Sequence, residues 1–301
     1  MKNHKKTLFL LVFRSLSCNF ASMKQAMIFA AGLGTRLKPL TDTMPKALVP
    51  VGGRPLLDIN IERLHQQGYN RFVVNVHHFA QQIIDYVSTH YSPLTTHQIL
   101  ISDESDRLLD TGGGLKKAAP LFHDDEPILI HNVDILDNVD YEWFRRQHEP
   151  DEDAVLLVSR RKTKRYLLFD SSMRLMGWIN IETGEVKSPY PWLRTLSEEL
   201  RVKSEEFAAA AEGCAANNYQ FSILNYQLNA FAFSGIHSFS PRLFPLMERF
   251  PDKFSIIDFY LSTCHRARIY GCVKDDLQVL DVGKLDVLDK AETFLTTNFT
   301  N

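Results

Sequence analysis

Short apolar runs alternate with amphipathic stretches along most of this 301-residue chain. Residues 25–30 (QAMIFA) make an apolar run of the length of a buried strand, and 71–76, 97–101, 127–131 and 154–159 repeat it. Between these runs the period becomes helical. Residues 55–67 set Leu57, Ile61 and Leu64 on one face, with Pro55 in the first turn and Gly68 as the stop, and 79–90 does the same with Ile83, Ile84 and Val87. Strands alternating with helices of this length predict an α/β fold with a doubly wound, mostly parallel sheet. Ligands of such sheets sit at the carboxyl ends of the strands, where Gly32, Asn75, Asp110 and Asp134 all fall.

The rhythm changes in the second half. Helical spacing at 141–148 and the strand at 154–159 give way at 162–187 to short β-like pieces (RYLLFD, RLMGWI, TGEV), which predict a small β-rich sub-lobe. A helix at 197–211 reads as an insertion, and residues 162–230 together form the sub-lobe and insertion of a single domain spanning 23–296. Residues 231–236 read as a strand with an interior glycine, 241–250 and 255–264 as helices, 268–273 as a strand, and 285–294 as a closing helix. The tail is a separate matter. Met1 to Lys6 is basic and Thr7 to Phe13 apolar, but Arg14 cuts the run to the short end of a leader peptide, so 1–22 is expected to be a disordered tail or an over-extended start before Met23, with a leader peptide or anchor as the alternative.

Composition narrows the partners. A formal charge of −2 favours neither nucleic acid nor an anionic membrane surface as partner. Cys18, Cys214, Cys264 and Cys272 show no C-x-x-C spacing, which argues against zinc and a disulfide framework and for a reducing, cytoplasmic setting. An anionic small molecule must then be attracted locally.

The stretch 30–51 supplies that attraction. Gly32 and Gly34 follow a buried strand at once, and Pro39, Pro45 and Pro50 forbid the helix that a Rossmann loop would open; the third glycine of G-x-G-x-x-G is replaced by Leu37, and no P-loop pattern occurs. What remains is a proline-stiffened loop whose backbone N–H groups can turn toward a polyphosphate, with Arg36 and Lys46 as cations. Farther on, Asp110-Thr111-Gly112-Gly113-Gly114 precedes a predicted short helix, 115–119. Three glycines there would let a flat ligand press on free N–H groups, or would serve a tight turn. Asp134 ends a strand, where one carboxylate can hold a Mg²⁺ that bridges phosphates. Asp281, shortly before the closing helix, suits a helix N-cap. The run Arg160, Arg161, Lys162, Lys164, Arg165 reads as a solvated face, and His77 and His78 as packing or surface residues.

Over about twenty positions, Ala30-Ala31-Gly32-Leu33-Gly34-Thr35-Arg36-Leu37-Lys38-Pro39-Leu40-Thr41 and then Pro45-Lys46-Ala47-Leu48-Val49-Pro50-Val51, the chain resembles the sugar-1-phosphate nucleotidyltransferases. The resemblance implies that Ala31, Gly32, Gly34 and Thr35 wrap a nucleoside triphosphate, with Arg36 at the β and γ phosphates and Lys46 near the α-phosphate. It assigns Asn75, Thr111, Gly112 and Gly113 to the nucleotide, Asn132, Ser234 and Gly235 to the acceptor sugar under the sub-lobe, and Asp134 and Asp281 to Mg²⁺. Val133 departs from a family glycine, and Leu280 and Lys284 from the commoner residues around Asp281. The implied reaction is attack by a sugar-1-phosphate on the α-phosphorus, with pyrophosphate leaving. The D-T-G-G-G element is most like N-acetylmuramate-1-phosphate uridylyltransferases. Mannose- and heptose-1-phosphate transferases share many letters, and a non-catalytic nucleotide-sugar-binding homologue is a reading of another class.

Overall fold

A computed structural model describes residues 24–91, 97–195, 220–223 and 226–299. The tail 1–22, the helix expected at 197–211 and most of the region 188–229 lie outside the described residues.

The first half winds as its periodicity predicts. β1 (Gln25–Phe29) leads through a loop of single 3-10 turns and the small hairpin β2 (Pro50–Val51) and β3 (Arg54–Pro55) to α1 (Leu56–Gln66). Then follow β4 (Arg71–Val76), α2 (Ala80–His90), β5 (Gln98–Asp103), α3 (Asp110–Ala118), β6 (Ile128–Asn132), β7 (Ile135–Asp137) and α4 (Tyr141–Arg145). The second half adds β8 (Ala154–Ser159), β9 (Arg165–Phe169), β10 (Leu175–Asn180), β11 (Val186–Lys187), α5 (Pro191–Thr195), β12 (Gln220–Ile223) and β13 (Tyr226–Phe239). It closes with α6 (Phe244–Met247), α7 (Ile256–Thr263), β14 (Ile269–Val273), β15 (Val279–Asp281) and α8 (Leu288–Phe299).

One sheet runs β11-β10-β9-β13-β6-β1-β4-β5, with β8 and β14 continuing from β13. β6, β1, β4 and β5 are mutually parallel, as crossover helices require, and the sub-lobe strands β9, β10 and β11 are antiparallel hairpins. The long β13 joins the two: its first half pairs with β9 and β12, its second with β6 and β8. Residues 231–236, expected as a separate strand, are the middle of this one.

Alternation along β1 shows why its run is continuously apolar. Ala26, Ile28 and Ala30 face a core shared with α1 and α2, whereas Met27 and Phe29 face a second core shared with α3 and α7. Each fully buried large apolar side chain, such as Ile28 or Met27, contributes roughly 1.5–3 kcal/mol. The sub-lobe has its own small cluster around Leu168, Ile179 and Leu193. Among the described residues no helix is long and apolar enough to cross a membrane.

Candidate active site

The loop after β1 is built from three 3-10 turns, Thr35–Leu37, Leu40–Asp42 and Lys46–Leu48, because the prolines permit single turns but no α-helix. Leu37, Ala47 and Val49 are fully buried and pin it to the first core. Gly34 has φ +64°, and a Cβ there would lie 2.8 Å from Thr41 Cγ2; the Thr41 hydroxyl in turn donates to the Gly34 carbonyl at 2.8 Å. Gly32 differs. A Cβ at Gly32 would meet nothing within 4 Å. No neighbouring side chain asks for glycine at that point, and the open space belongs to a cavity.

That cavity, of about 380 Å³, lies at the carboxyl ends of β1, β4 and β6. Ala31, Gly32, Lys46, Asn75, Thr111, Asn132 and Asp134 line it, so seven of the residues singled out in the sequence converge. Asn75 is fixed from both ends, its Oδ1 accepting from the Ala30 N–H at 2.8 Å and its Nδ2 donating to Glu104 Oε1 at 2.7 Å. Glu104 and Lys253, which also line the cavity, carry no sequence signal that separates them from neighbouring charges. The Glu104 carboxylate is fully buried and takes a second bond from the Leu109 N–H at 3.1 Å. Burial pushes its pKa up, against the two hydrogen bonds that favour the charged form. His77 is a packing residue, its Nδ1 at 2.7 Å from the Glu104 carbonyl.

A β-ladder brings the backbones around the two aspartates together. β15 pairs antiparallel with β7, Asp281 opposite Ile135, and the Val282 N–H reaches the Asp134 carbonyl at 2.8 Å. Asp134 is ion-paired with Lys46, and Asp281 with Arg36 at 3.5 Å. Asp281 ends β15 and the following turn is capped by Lys284, so the alternative of Asp281 as a helix N-cap does not hold. Gly283 allows this crowding, since a Cβ there would lie 2.5 Å from both Arg36 Nη2 and Asp281 Oδ1. Val133 is 3% exposed, its side chain in the first core and its carbonyl bound by Asn60 Nδ2 at 3.0 Å. Asp134, in the turn before β7, and Asp281, at the end of β15, are oxygen donors of the kind a hard cation takes together with water and phosphate oxygens. No cluster of three or more His, Cys, Asp or Glu capable of holding a metal by protein ligands alone occurs among the described residues.

Other expected residues lie behind or beside the cavity. Gly34, Thr35, Arg36 and Asp281 do not line it; Arg36 and Asp281 are exposed beside it. Gly112 and Gly113 are inside α3, which starts at Asp110 and not at 115 as the sequence suggests. Their N–H groups are not free for a ligand: both donate to the Phe254 carbonyl, at 2.9 and 3.2 Å, and a Cβ on either would strike the segment Asp252 to Phe254. Ser234 is 3% exposed; its hydroxyl donates to the Leu157 carbonyl at 2.8 Å and accepts from the Ile236 N–H at 3.1 Å. Gly235, at φ +84°, makes room for the Asn132 side chain and presents no group of its own.

Residues 25–167 match the family model described as nucleotidyl transferase. Over 113 residues the chain is 42% identical to the N-acetylmuramate alpha-1-phosphate uridylyltransferase of Caulobacter vibrioides, covering 38% of this chain and 46% of that protein. It is 30% identical over 145 residues to a mannose-1-phosphate guanyltransferase of Aspergillus fumigatus, covering 47% of this chain and 39% of that one. The chain thus spans less than half the length of either relative. The crystal structure of HddC from Yersinia pseudotuberculosis complexed with GMP-PN superposes over 90% of this chain and 99% of its own with a TM-score of 0.62 at 21% identity, a likeness of fold. The matched residues 25–167 are just under half of the chain, and over them the chain is similar to the nucleotidyl transferases.

Proposed function

We propose that this chain is a sugar-1-phosphate nucleotidyltransferase that uses a nucleoside triphosphate and Mg²⁺ in the cytoplasm, and that its substrates are UTP and N-acetylmuramate 1-phosphate, for cell-wall nucleotide-sugar supply. The observation that carries this reading is the unfilled space at Gly32, in a cavity lined by the Lys46–Asp134 ion pair. An anionic ligand can press against the backbone there, and a side chain would close the space. The choice of uridylyl and muramate rests on the relative at 42% identity.

A phosphate monoester has a second pKa near 6, so a sugar-1-phosphate is a dianionic nucleophile at neutral pH and needs no general base. Its oxygen forms a bond to the α-phosphorus, and the bond to the bridging oxygen of pyrophosphate breaks, the electron pair leaving with pyrophosphate. Lys46 neutralises charge at the α-phosphate and Arg36 at the β and γ phosphates, with loop N–H groups orienting the chain of phosphates for in-line attack. A magnesium ion held by Asp134 and Asp281 would add charge neutralisation on the phosphate oxygens. Nucleotide contacts are assigned to Ala31, Gly34, Thr35, Asn75 and Thr111, and Asn132 to the acceptor.

The test is pyrophosphate release over a matrix of UTP, GTP, CTP and dTTP against several sugar-1-phosphates with Mg²⁺. Preference for UTP with N-acetylmuramate 1-phosphate is the expected result. Preference for GTP with mannose 1-phosphate would assign the chain to the other relative's chemistry, and no release from any pair would leave a binding protein.

A further inference from the structure

The basic run read as a solvated face does not point wholly to solvent. Arg161 and Arg165 line a second cavity of about 370 Å³, together with Trp178, Lys187 and Asp258. Three cations against one carboxylate leave a formal excess of two positive charges. Lys187 is held at 3.2 Å from Asp258 and 5.4 Å above the Trp178 ring. Arg161 bonds to the Phe233 carbonyl at 2.9 Å, and neither it nor Arg165 has a carboxylate within ion-pair distance among the described residues. Trp178 lies on the half-exposed face of β10 and offers a flat apolar platform.

Neighbouring segments of the chain line the two cavities. Lys253 lines the first, and Ser255, Ile257 and Asp258, a few residues on, line the second. Phe233 lines the second, and Gly235, two residues on, packs against Asn132 of the first. Arg161 also lies within electrostatic reach of Asp281. The second cavity thus opens beside the segments that carry Asn132 and Lys253 of the first. The triphosphate already has Arg36 and Lys46, and a neutral sugar has no use for two uncompensated cations.

We propose that the second cavity reads a carboxylate on the acceptor: the substrate is a sugar 1-phosphate bearing a second anionic group, stacked by its ring on Trp178 and held at that group by Arg161, Arg165 and Lys187. This rests on the nucleotidyltransferase reading above and adds the residues that select the acceptor. Arginine suits the task because its planar fork matches a carboxylate with two parallel hydrogen bonds.

The experiment compares N-acetylmuramate 1-phosphate with N-acetylglucosamine 1-phosphate, which lacks the carboxylate-bearing ether, in wild type, R165Q and R165K under saturating nucleotide. Wild type should favour the carboxylated acceptor by about 10- to 100-fold in kcat/KM, the range of a charge-assisted hydrogen bond. R165Q should lose most of that preference, through KM, while its kcat/KM for the neutral acceptor stays within about threefold, and R165K should restore part of it. Arg165 is exposed, so an unchanged Tm is expected and serves as the folding control. Equal or better use of the neutral acceptor by wild type, or equal loss of both in R165Q, would overturn the inference and leave the nucleotidyltransferase reading standing. Absence of release with every acceptor would overturn that reading instead. Calorimetric binding of the same two sugar phosphates then decides: tighter binding of the carboxylated one, abolished in R165Q, supports the carboxylate site, and equal affinities overturn it.

Discussion

The Val282 N–H donates to the Asp134 carbonyl at 2.8 Å, tying together two strand ends that lie far apart in the chain. The bond continues the β7–β15 ladder, and it fixes Asp281 beside the turn that carries Asp134. Each carboxylate then meets one cation of the glycine loop, Asp134 with Lys46 and Asp281 with Arg36. The arrangement is a charge-balanced quartet, which a phosphate-bearing ligand and its divalent cation would rearrange pair by pair.

Asp134→Asn and Asp281→Asn should each lower kcat by about a hundredfold or more, because each replaces a carboxylate proposed to hold the divalent cation with a neutral amide. The double variant should be little worse than the poorer single one, since the two act on one centre. Pyrophosphate release measures the loss, and circular dichroism should show an unchanged fold. Kinetics like those of wild type in both single variants would mean that the cation binds elsewhere.

Gly34→Ala should destabilise the protein by roughly 1–3 kcal/mol, from the positive φ and from the clash with Thr41 Cγ2 at 2.8 Å. Thr41→Ser removes the clashing methyl and keeps the hydroxyl that donates to the Gly34 carbonyl. The double variant should recover the steric part of the loss and retain about 1 kcal/mol of backbone strain. Urea titration of the four proteins reads both parts; strictly additive losses would show that the methyl is not the obstacle.

Legibility in the sequence follows the range of the interaction. Gly32, Gly34 and Lys46 could be read because a strand, two glycines and three prolines act within a few residues, and Asp134 because strand ends in parallel sheets face ligands. The three glycines of α3 were legible as a motif but not in their cause, which is the packing of Asp252 to Phe254 against Gly112 and Gly113 and of Glu104 and Asn75 against Gly114. Glu104 acquires its place from Asn75 on the neighbouring strand, a pairing that no local pattern encodes. Arg161 and Arg165 were hidden for a similar reason: a charge run says nothing of the Trp178 and Lys187 that the hairpin brings opposite. Ser234 misled because a serine beside a glycine in a strand serves the fold as readily as a ligand.

Asp137 should prove the most sensitive polar residue of the scaffold. It is fully buried and receives hydrogen bonds from Tyr141 and the Val139 N–H, both at 2.8 Å, with Arg63 at 2.8 Å and His131 at 3.0 Å as basic partners. Burial alone would raise its pKa, but the His131 hydrogen bond and the Arg63 charge outweigh it and hold the carboxyl down to about 2. Asp137→Asn leaves the Arg63 charge without its partner and should cost about 3–5 kcal/mol. Because Asp137 ends β7, activity should fall as well, through loosened placement of Asp134. A stable, fully active variant would show that the strand is positioned by its apolar contacts.

Acid sensitivity should begin well above the carboxylate range, and His237 is the reason. Its ring is buried on β13 with Nδ1 at 2.7 Å from the Tyr260 hydroxyl, and burial, then the nearby His131, lower its pKa from 6.5 to about 3. The folded state therefore keeps His237 neutral where the unfolded chain binds a proton. Stability is complete above pH 6.5 and declines as pH falls from there toward 3, at up to about 1.4 kcal/mol per pH unit for one proton. His237→Gln retains a polar group for Tyr260 but cannot titrate, so it should be less stable at pH 7 yet lose less between pH 6.5 and 4.5, by roughly 2–3 kcal/mol. His148, whose pKa is also lowered by burial, titrates in the same sense in both proteins, and the difference between wild type and variant isolates His237. Urea unfolding at pH 7, 6, 5 and 4.5 measures it, and parallel pH dependences in the two proteins would place the acid-labile group outside the β13 core.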